Sequence, residues 1–124
     1  MATITPTVTK LGGDDSTVKV KYETLTQTNA DGSPIAWVQW ADRSVQVLGT
    51  FGTGGTLTIE GSNDGGTTWA TLSDPQGNAL TIQAAKIEAI TEICELVRPR
   101  VSVADGTTDL DVYFVLRRPQ QLRV

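Results

Sequence analysis

Carboxylates are the side chains of this sequence that could carry out chemistry, since it contains 14 Asp and Glu residues and no histidine. Without histidine, the commonest general base and the usual activating partner of a Ser or Cys nucleophile are missing. Two carboxyl groups are still enough for glycoside hydrolysis. Most of the acids, however, fall in turn sequences or at outward strand positions: Asp31, Asp64, Asp74 and Asp105 in turns, Glu23 and Glu60 in strands. We therefore expect a protein that is not an enzyme and that uses no cofactor.

Metal and thiol chemistry are equally poorly supported by the spacing of the residues. Asp105, Asp109 and Asp111 are close enough to share a calcium ion, but their spacing is not that of an EF-hand loop. Cys94 is the only cysteine, which excludes an internal disulfide. Glu92 and Glu95 flank it and disfavour the thiolate, so we interpret it as a small apolar core residue. No metal site is predicted.

The most specific pattern is the stretch Ser62-Asn63-Asp64-Gly65-Gly66-Thr67-Thr68-Trp69, between two strand-like runs. Two glycines supply the positive φ angles of a tight hairpin, and an aspartate can accept hydrogen bonds from its own turn. The spacing resembles the Asp-box, a β-hairpin turn motif of propeller blades and isolated β-domains. A structural lock is the preferred interpretation and a sugar-contacting loop is the alternative. The motif residues are Ser62, Asp64, Gly66, Thr68 and Trp69.

Composition limits the classes of partner. The formal net charge is −4, and the five basic residues after position 97 contrast with the acidic remainder of the chain. An acidic protein with so few basic groups is a poor candidate for nucleic acid, so the asymmetry favours contacts with protein subunits. No segment has the length and apolarity of a membrane span or of a signal peptide's core, so neither a membrane nor secretion is expected. We expect synthesis in a reducing cytoplasm.

Nineteen threonines and 12 glycines favour short strands joined by turns. Alternating apolar residues predict strands from Thr17, over Ser44–Phe51 and over Leu110–Leu116, and a short strand over Ile35–Trp40. Pro99 is expected to confine the strand around Val101 to a bulge or an edge. With about eight or nine such strands at intervals of about 8–12 residues, the sequence predicts an all-β protein, an antiparallel sandwich or a small barrel.

Residues 83–97 are ambiguous, because Ile87, Ile90, Cys94 and Val97 recur at helical spacing. At most one short helical segment is therefore expected. The domain organisation is an N-terminal arm or edge strand over residues 1–16, a sandwich over 17–118, and a polar tail over 119–124.

The C-terminal run from Val97 to Arg118, with its Val-Arg-Pro-Arg strand, Asp-Gly-Thr-Thr turn and closing strand, resembles the last strands of small virion proteins of tailed bacteriophages. The strand around Val45–Phe51 and the Asp-box-like hairpin fit the same pattern. The resemblance covers about residues 35–118. It implies a capsid decoration, or cement, protein: an antiparallel β-sandwich, jelly-roll-like in its winding, on the outer surface of the head that clamps neighbouring major capsid subunits.

Such a protein works through apolar anchors and extended ends that pair with neighbouring subunits. A homo-oligomer is expected, and a dimer is preferred over a trimer. Of Trp37 and Trp40, the one that escapes the core is the best single anchor. The candidate partner-binding residues are Ile4, Val8, Leu11, Trp37, Trp40, Arg117, Arg118, Leu122 and Arg123.

Two other functions stay open from the sequence. Three tryptophans and the Asp-box-like hairpin in a short β-domain also fit a carbohydrate-binding module of a phage tail or head. A glycosidase requires two carboxyls about 5–10 Å apart in a cleft.

Overall fold

A computed structural model describes residues 3–11, 16–36 and 38–118, and within these ranges the chain forms eleven strands and no helix. Trp37 and the expected tail over residues 119–124 lie outside the described residues. The strands are β1 (Thr3–Ile4), β2 (Thr7–Lys10), β3 (Thr17–Thr26), β4 (Asp31–Gly32), β5 (Asp42–Thr50), β6 (Thr56–Ser62), β7 (Ala70–Thr71), β8 (Thr81–Ile82), β9 (Lys86–Ala89), β10 (Leu96–Val103) and β11 (Asp109–Arg117).

The strands form two sheets. Sheet I has the order β1-β4-β10-β6-β7, with β8 also paired to β6, and sheet II has the order β2-β3-β11-β5-β9. Every pairing is antiparallel except that of β1 with β4. The prediction of an all-β sandwich is confirmed, whereas its jelly-roll-like winding stays a prediction.

The core follows from the alternation of apolar residues along the three inner strands of sheet II. Alternate residues of β3, β5 and β11 lie almost entirely out of water, as the sequence predicts: Val18, Val20 and Tyr22; Val45 and Val47; Leu110, Val112, Phe114 and Leu116. Tyr22 and Phe114 meet edge to face with ring centroids 5.8 Å apart. The Tyr22 hydroxyl donates to the Ser33 carbonyl at 2.6 Å, so this buried ring also links sheet II to the segment after β4.

Residues 3–10 serve both sheets. Thr3–Ile4 pairs with β4 at the edge of sheet I, and Thr7–Lys10 pairs with β3 at the edge of sheet II. Pro6 lies between the two strands and therefore outside both ladders. Within a ladder, a proline would remove a hydrogen bond. Of the two interpretations of the N-terminal segment, the edge strand describes these residues.

Pro99 occupies a position that the sequence did not predict, because β10 is an inner strand of sheet I and not an edge. The backbone hydrogen bonds of Val97 with Ile35 and of Val101 with Ala30 show that Pro99 faces the β4 side between them. At Gly32 on that side, a Cβ would lie 2.6 Å from the Pro99 ring and 2.7 Å from the Tyr22 ring. The expected bulge occurs further along, between Val101 and Val103.

One local prediction was wrong, and one alternative that the sequence left open is decided by the structure. The strand expected over Ile35–Trp40 is reduced to one bridge between Ile35 and Val97, followed by a turn at Val38 and Gln39. In the segment 83–97, the helical alternative fails because Lys86–Ala89 pairs with β5 and the following residues cross over to β10.

The helical spacing in that segment has another origin. The N–H of Ile90 donates to the Arg43 carbonyl, and Ile90 and Cys94 are buried as the chain passes from sheet II to sheet I. Ile87 belongs to the preceding edge strand and is 62% exposed. The apolar residues therefore serve two different surfaces and do not form one helical face.

We predict that Gly32→Ala lowers the free energy of unfolding by about 1–3 kcal/mol, because the new methyl group must displace the rings of Pro99 and Tyr22. The midpoint of urea unfolding measures the change. Gly106→Ala is the matched control, because a Cβ there meets no atom within 4 Å. Equal midpoints for the two variants would show that Gly32 does not make room for the proline.

Candidate functional site

The Asp-box-like hairpin joins β6 to β7 and is built around one carboxylate. The Oδ1 atom of Asp64 accepts the Thr67 and Thr68 N–H groups at 3.1 and 2.9 Å, and the Ser62 hydroxyl at 2.7 Å. Gly65 and Gly66 have φ angles of 75° and 91°, which side chains with a Cβ rarely adopt. The predicted turn chemistry is therefore present in the structure.

These hydrogen bonds determine the protonation of Asp64. Its pKa is lowered to about 2, first by the Thr68 N–H and then by the Ser62 hydroxyl, because both donors stabilise the ionised form. A carboxyl that is ionised and bonded in this way is a poor proton donor at neutral pH. The geometry of Asp64 is that of a structural lock.

Trp69 closes the hairpin from the side. Its Nε1 donates to the Gly66 carbonyl at 3.0 Å, and the Arg98 guanidinium lies 4.0 Å from the ring centroid. Sugar rings are held by stacking on an open aromatic face, and here a guanidinium already occupies one face of the indole. These contacts favour the structural interpretation of the motif.

The tip of the hairpin is also fastened to the segment that leads into β10. The Gly65 N–H donates to Glu95 Oε1 at 2.7 Å, and the Glu95 N–H donates to Asn63 Oδ1 at 2.8 Å. These two reciprocal bonds hold the hairpin against sheet I.

A chain of ion pairs continues from Trp69 across the outer face of sheet I. Arg98 contacts Glu60 Oε1 through both Nε and Nη2 at 2.9 Å, and Arg100 lies 3.6 Å from Glu60 and 3.4 Å from Asp31. Glu60 is 9% exposed, so its charge is compensated by the two arginines. The charged groups already have partners within the chain, and the face they form is polar and rigid.

Two further aspartates hold turns in the same manner. Asp105 accepts the Thr53 and Thr107 N–H groups at 2.8 Å each, which ties the β5–β6 loop to the β10–β11 turn and lowers the Asp105 pKa. Asp74 accepts the Asn78 and Gln76 N–H groups at 2.9 Å each, and its pKa is lowered as well. Three of the four acids that the sequence placed in turns are thus used as backbone anchors, whereas Asp31 lies in β4 and pairs with Arg100.

The N-terminal candidate residues belong to edge strands. Ile4 is partly buried against the core and Leu11 is half-buried, with its N–H donating to the Thr17 carbonyl. Val8 is 46% exposed. Of these three residues, Val8 has the side chain most available to a partner.

The remaining candidates divide between core and surface. Trp40 is 7% exposed and belongs to the core, so it is not the outer anchor. Trp37, Leu122 and Arg123 lie outside the described residues. Arg118 lies over the Trp40 ring at 5.2 Å. Arg117 is exposed and contacts Asp42 at 2.8 Å.

The outer face of sheet II was not predicted from the sequence. Tyr113 and Val115 lie on the side of β11 opposite the core, and the helical spacing of Ile87 concealed its position on the same face. The register places Ile87 opposite Gln46, and Gln46 opposite Tyr113. Alternation over Lys86–Ala89 alone could have indicated this strand, but four residues are too few to decide.

Concave sites are shallow in the described part of the chain. One open depression of about 360 Å³ lies beside the hairpin, lined by Asp64, Thr68, Leu72 and Cys94 among others. Burial raises the pKa of the Cys94 thiol, which disfavours its reactive thiolate form. Residues 3–11, 16–36 and 38–118 contain no cluster of metal-ligating side chains and no helix that could span a membrane.

Comparison of the chain with models of known protein families, with curated proteins and with solved structures gave no match.

We predict that the protein loses thermal stability as the pH falls from about 4 to about 2. Asp64, Asp74 and Asp105 have pKa values below their ordinary range in the folded state. Their contribution is therefore complete above the unfolded pKa and is lost as the pH falls through the folded pKa. With no histidine in the chain, the melting temperature should change little between pH 8 and pH 5.

The isosteric variant Asp64→Asn tests the assignment to this carboxylate. It should melt below the wild type at pH 7 and lose less on acidification, as measured by circular dichroism at each pH. An acid-induced loss of the same size in both proteins would contradict the role of Asp64.

Proposed function

We propose that this protein is a structural protein of a tailed-bacteriophage virion, which binds the outer surface of the head and stabilises contacts between major capsid subunits. The C-terminal resemblance to small virion proteins, with their often jelly-roll-like sandwiches, supports the proposal. The protein would be made in the cytoplasm of the bacterial host and act by surface contact, without chemistry. The sandwich fold and the use of carboxylates as turn anchors are compatible with this role.

The observation that carries the proposal is the exposed edge of β2. All four residues of this strand are exposed, and among the described strands it pairs with β3 alone, on one side. The N–H of Leu11 donates to Thr17, so in this register the backbone groups of Thr7 and Thr9 point toward β3. The N–H and C=O of Val8 therefore point away from the sheet, toward the position of an added strand.

An extended segment of a capsid subunit can pair with this edge as a further strand of sheet II. Main-chain hydrogen bonds supply the affinity in such complexes, and the alternate side chains supply the specificity. Val8 lies opposite Val20, which belongs to the core, so its side chain is on the inner side of the sheet at the open margin of the sandwich. A partner strand that covers Val8 would extend the core.

A head-binding experiment tests the function. Heads of the phage that encodes this chain, assembled without it, are mixed with increasing amounts of the purified protein. We expect binding that saturates at a copy number related to the symmetry of the shell, and heads that withstand higher temperatures. Heads of equal heat resistance with and without the protein would refute a cementing role.

The variant Val8→Pro tests the docking edge. It removes the N–H that faces away from the sheet and leaves the hydrogen bonds of β2 to β3 in place, and proline is tolerated on edge strands. We expect head binding to weaken at least about tenfold, with little change in melting temperature. Val8→Ala keeps the N–H and is the matched control. Unchanged binding of Val8→Pro to heads would show that β2 is not part of the interface.

A further inference from the structure

The outer face of sheet II presents regular rows of side chains that have no part in the function proposed above. One register row crosses all five strands: Thr7, Lys21, Tyr113, Gln46 and Ile87 lie side by side. Because side chains alternate along a strand, the outward residues of the neighbouring rows follow at every second position. The row therefore serves as a reference line across the face.

Apolar side chains extend from the middle of this face to one of its edges. Tyr113 and Val115 lie on the central strand β11, where Val115 is 36% exposed, and Ile87 lies on the edge strand β9. Ile87 is 62% exposed, the largest fraction among the exposed large hydrophobic residues that the structure describes. Gln46 lies beside Tyr113, and Ser44 lies next to Val115. Apolar side chains with uncharged polar neighbours and charges beyond them are features of protein–protein interfaces.

The charges at the two ends of the face have opposite sign. On one side of the reference row lie Lys19, paired with Val115, and Arg117 at the end of β11. On the other side lie three acids of β3 and β11: Glu23, Asp109 and Asp111. Asp42 compensates part of the charge of Arg117. One end therefore carries a positive excess and the other a negative excess.

We infer that a second copy of this chain packs against this face, with the twofold axis along the reference row. That axis places each end of the face against the opposite end of the second copy. Lys19 then faces Glu23 of the second copy and Arg117 faces Asp109. Tyr113 meets its own counterpart in the middle of the face, and Ile87 meets its own counterpart at the edge. Such a surface is self-complementary in charge, which an isologous dimer requires.

One like-charge contact arises on the axis and is already compensated. Lys21 lies in the reference row and would approach its own counterpart. Its Nζ is 2.8 Å from Glu23 Oε1 and 5.1 Å from the centroid of the Tyr113 ring. The ammonium group therefore enters the contact as a member of an ion pair.

The area is sufficient for a dimer of modest affinity. The three long strands have nine or ten residues and the two edge strands have four each. At about 3.3 Å per residue and about 4.8 Å between strands, they cover on the order of 550 Å² per copy. The total of about 1,100 Å² lies just above the size of typical crystal contacts and at the lower limit of specific interfaces. We therefore expect a reversible dimer.

The edge strand β9, which carries Ile87, is poorly suited to pairing with an added strand. A second copy is therefore expected to contact the outer face of sheet II and not this edge. Lys86 and Glu88 of the edge strand β9 lie opposite the core residues Val47 and Val45 and pair with each other at 3.6 Å. Inward-pointing charges at an edge oppose the addition of another strand. The outer face of sheet I is also less suited, because its charged groups are engaged in ion pairs within the chain.

Sedimentation velocity of the full chain from about 1 to 500 µM tests the dimer. We expect a shift from monomer to dimer in this range, and a dissociation constant at least about tenfold higher for Ile87→Glu. Ile93→Glu is the matched control, because Ile93 is 53% exposed but lies in the connection after β9, away from the face. A wild-type monomer throughout, or equal weakening by both variants, overturns the inference.

A charge exchange tests the orientation. Lys19→Glu and Glu23→Lys each place like charges opposite one another in a homodimer, so each variant alone should dimerise at least about tenfold more weakly than the wild type. In an equimolar mixture both contacts become attractive, and the heterodimer should form with near wild-type affinity. A mixture that associates no better than its components excludes this axis. Circular dichroism and melting temperature confirm that each variant is folded.

The dimer does not depend on the proposed role in the virion. Binding of heads by a chain that stays monomeric would leave the proposed function standing and refute the dimer. A chain that dimerises but does not bind heads would leave the dimer standing and refute the proposed function.

Discussion

The burial of one side of β11 between β3 and β5 is the constraint on which the rest of the structure depends. Its inner side chains Leu110, Val112, Phe114 and Leu116 are at most 1% exposed, and both neighbouring strands pair along its length. Because side chains alternate in a strand, fixing this inner row also fixes which residues face outward. Tyr113, Val115 and the flanking charges are thus presented on a rigid face as a direct consequence of core packing.

Carboxylates give the loops a comparable rigidity. Asp64 and Asp74 each accept two backbone N–H groups of their own turns, and Asp105 accepts one of its own turn and one of the β5–β6 loop. Such bonds lower the pKa of each carboxyl and satisfy donors that short connections leave open. The acid groups that the sequence offers for chemistry are therefore used to hold hairpins. This use is consistent with a protein that works by presenting surfaces.

A capsid strand and a second copy of the chain would approach sheet II from different directions. A capsid strand at β2 would extend the sheet in its own plane through main-chain hydrogen bonds. A second copy would approach along the perpendicular direction and bury the side chains of Ile87 and Tyr113. Since β2 lies at one margin and Ile87 at the other, both contacts can be made by one molecule, and a dimer would offer two docking edges.

The sequence by itself determined the all-β class, the inner residues of β3, β5 and β11, and the bonding pattern of the Asp64 hairpin. These features depend on alternation and turn chemistry within a few residues. Only the tertiary structure decided the neighbours of each strand, the inner position of Pro99 against Gly32, the burial of Trp40 and the strand that exposes Ile87. Each of these features depends on contacts between residues that are distant in the chain. A short apolar run in the sequence is compatible with more than one such set of contacts.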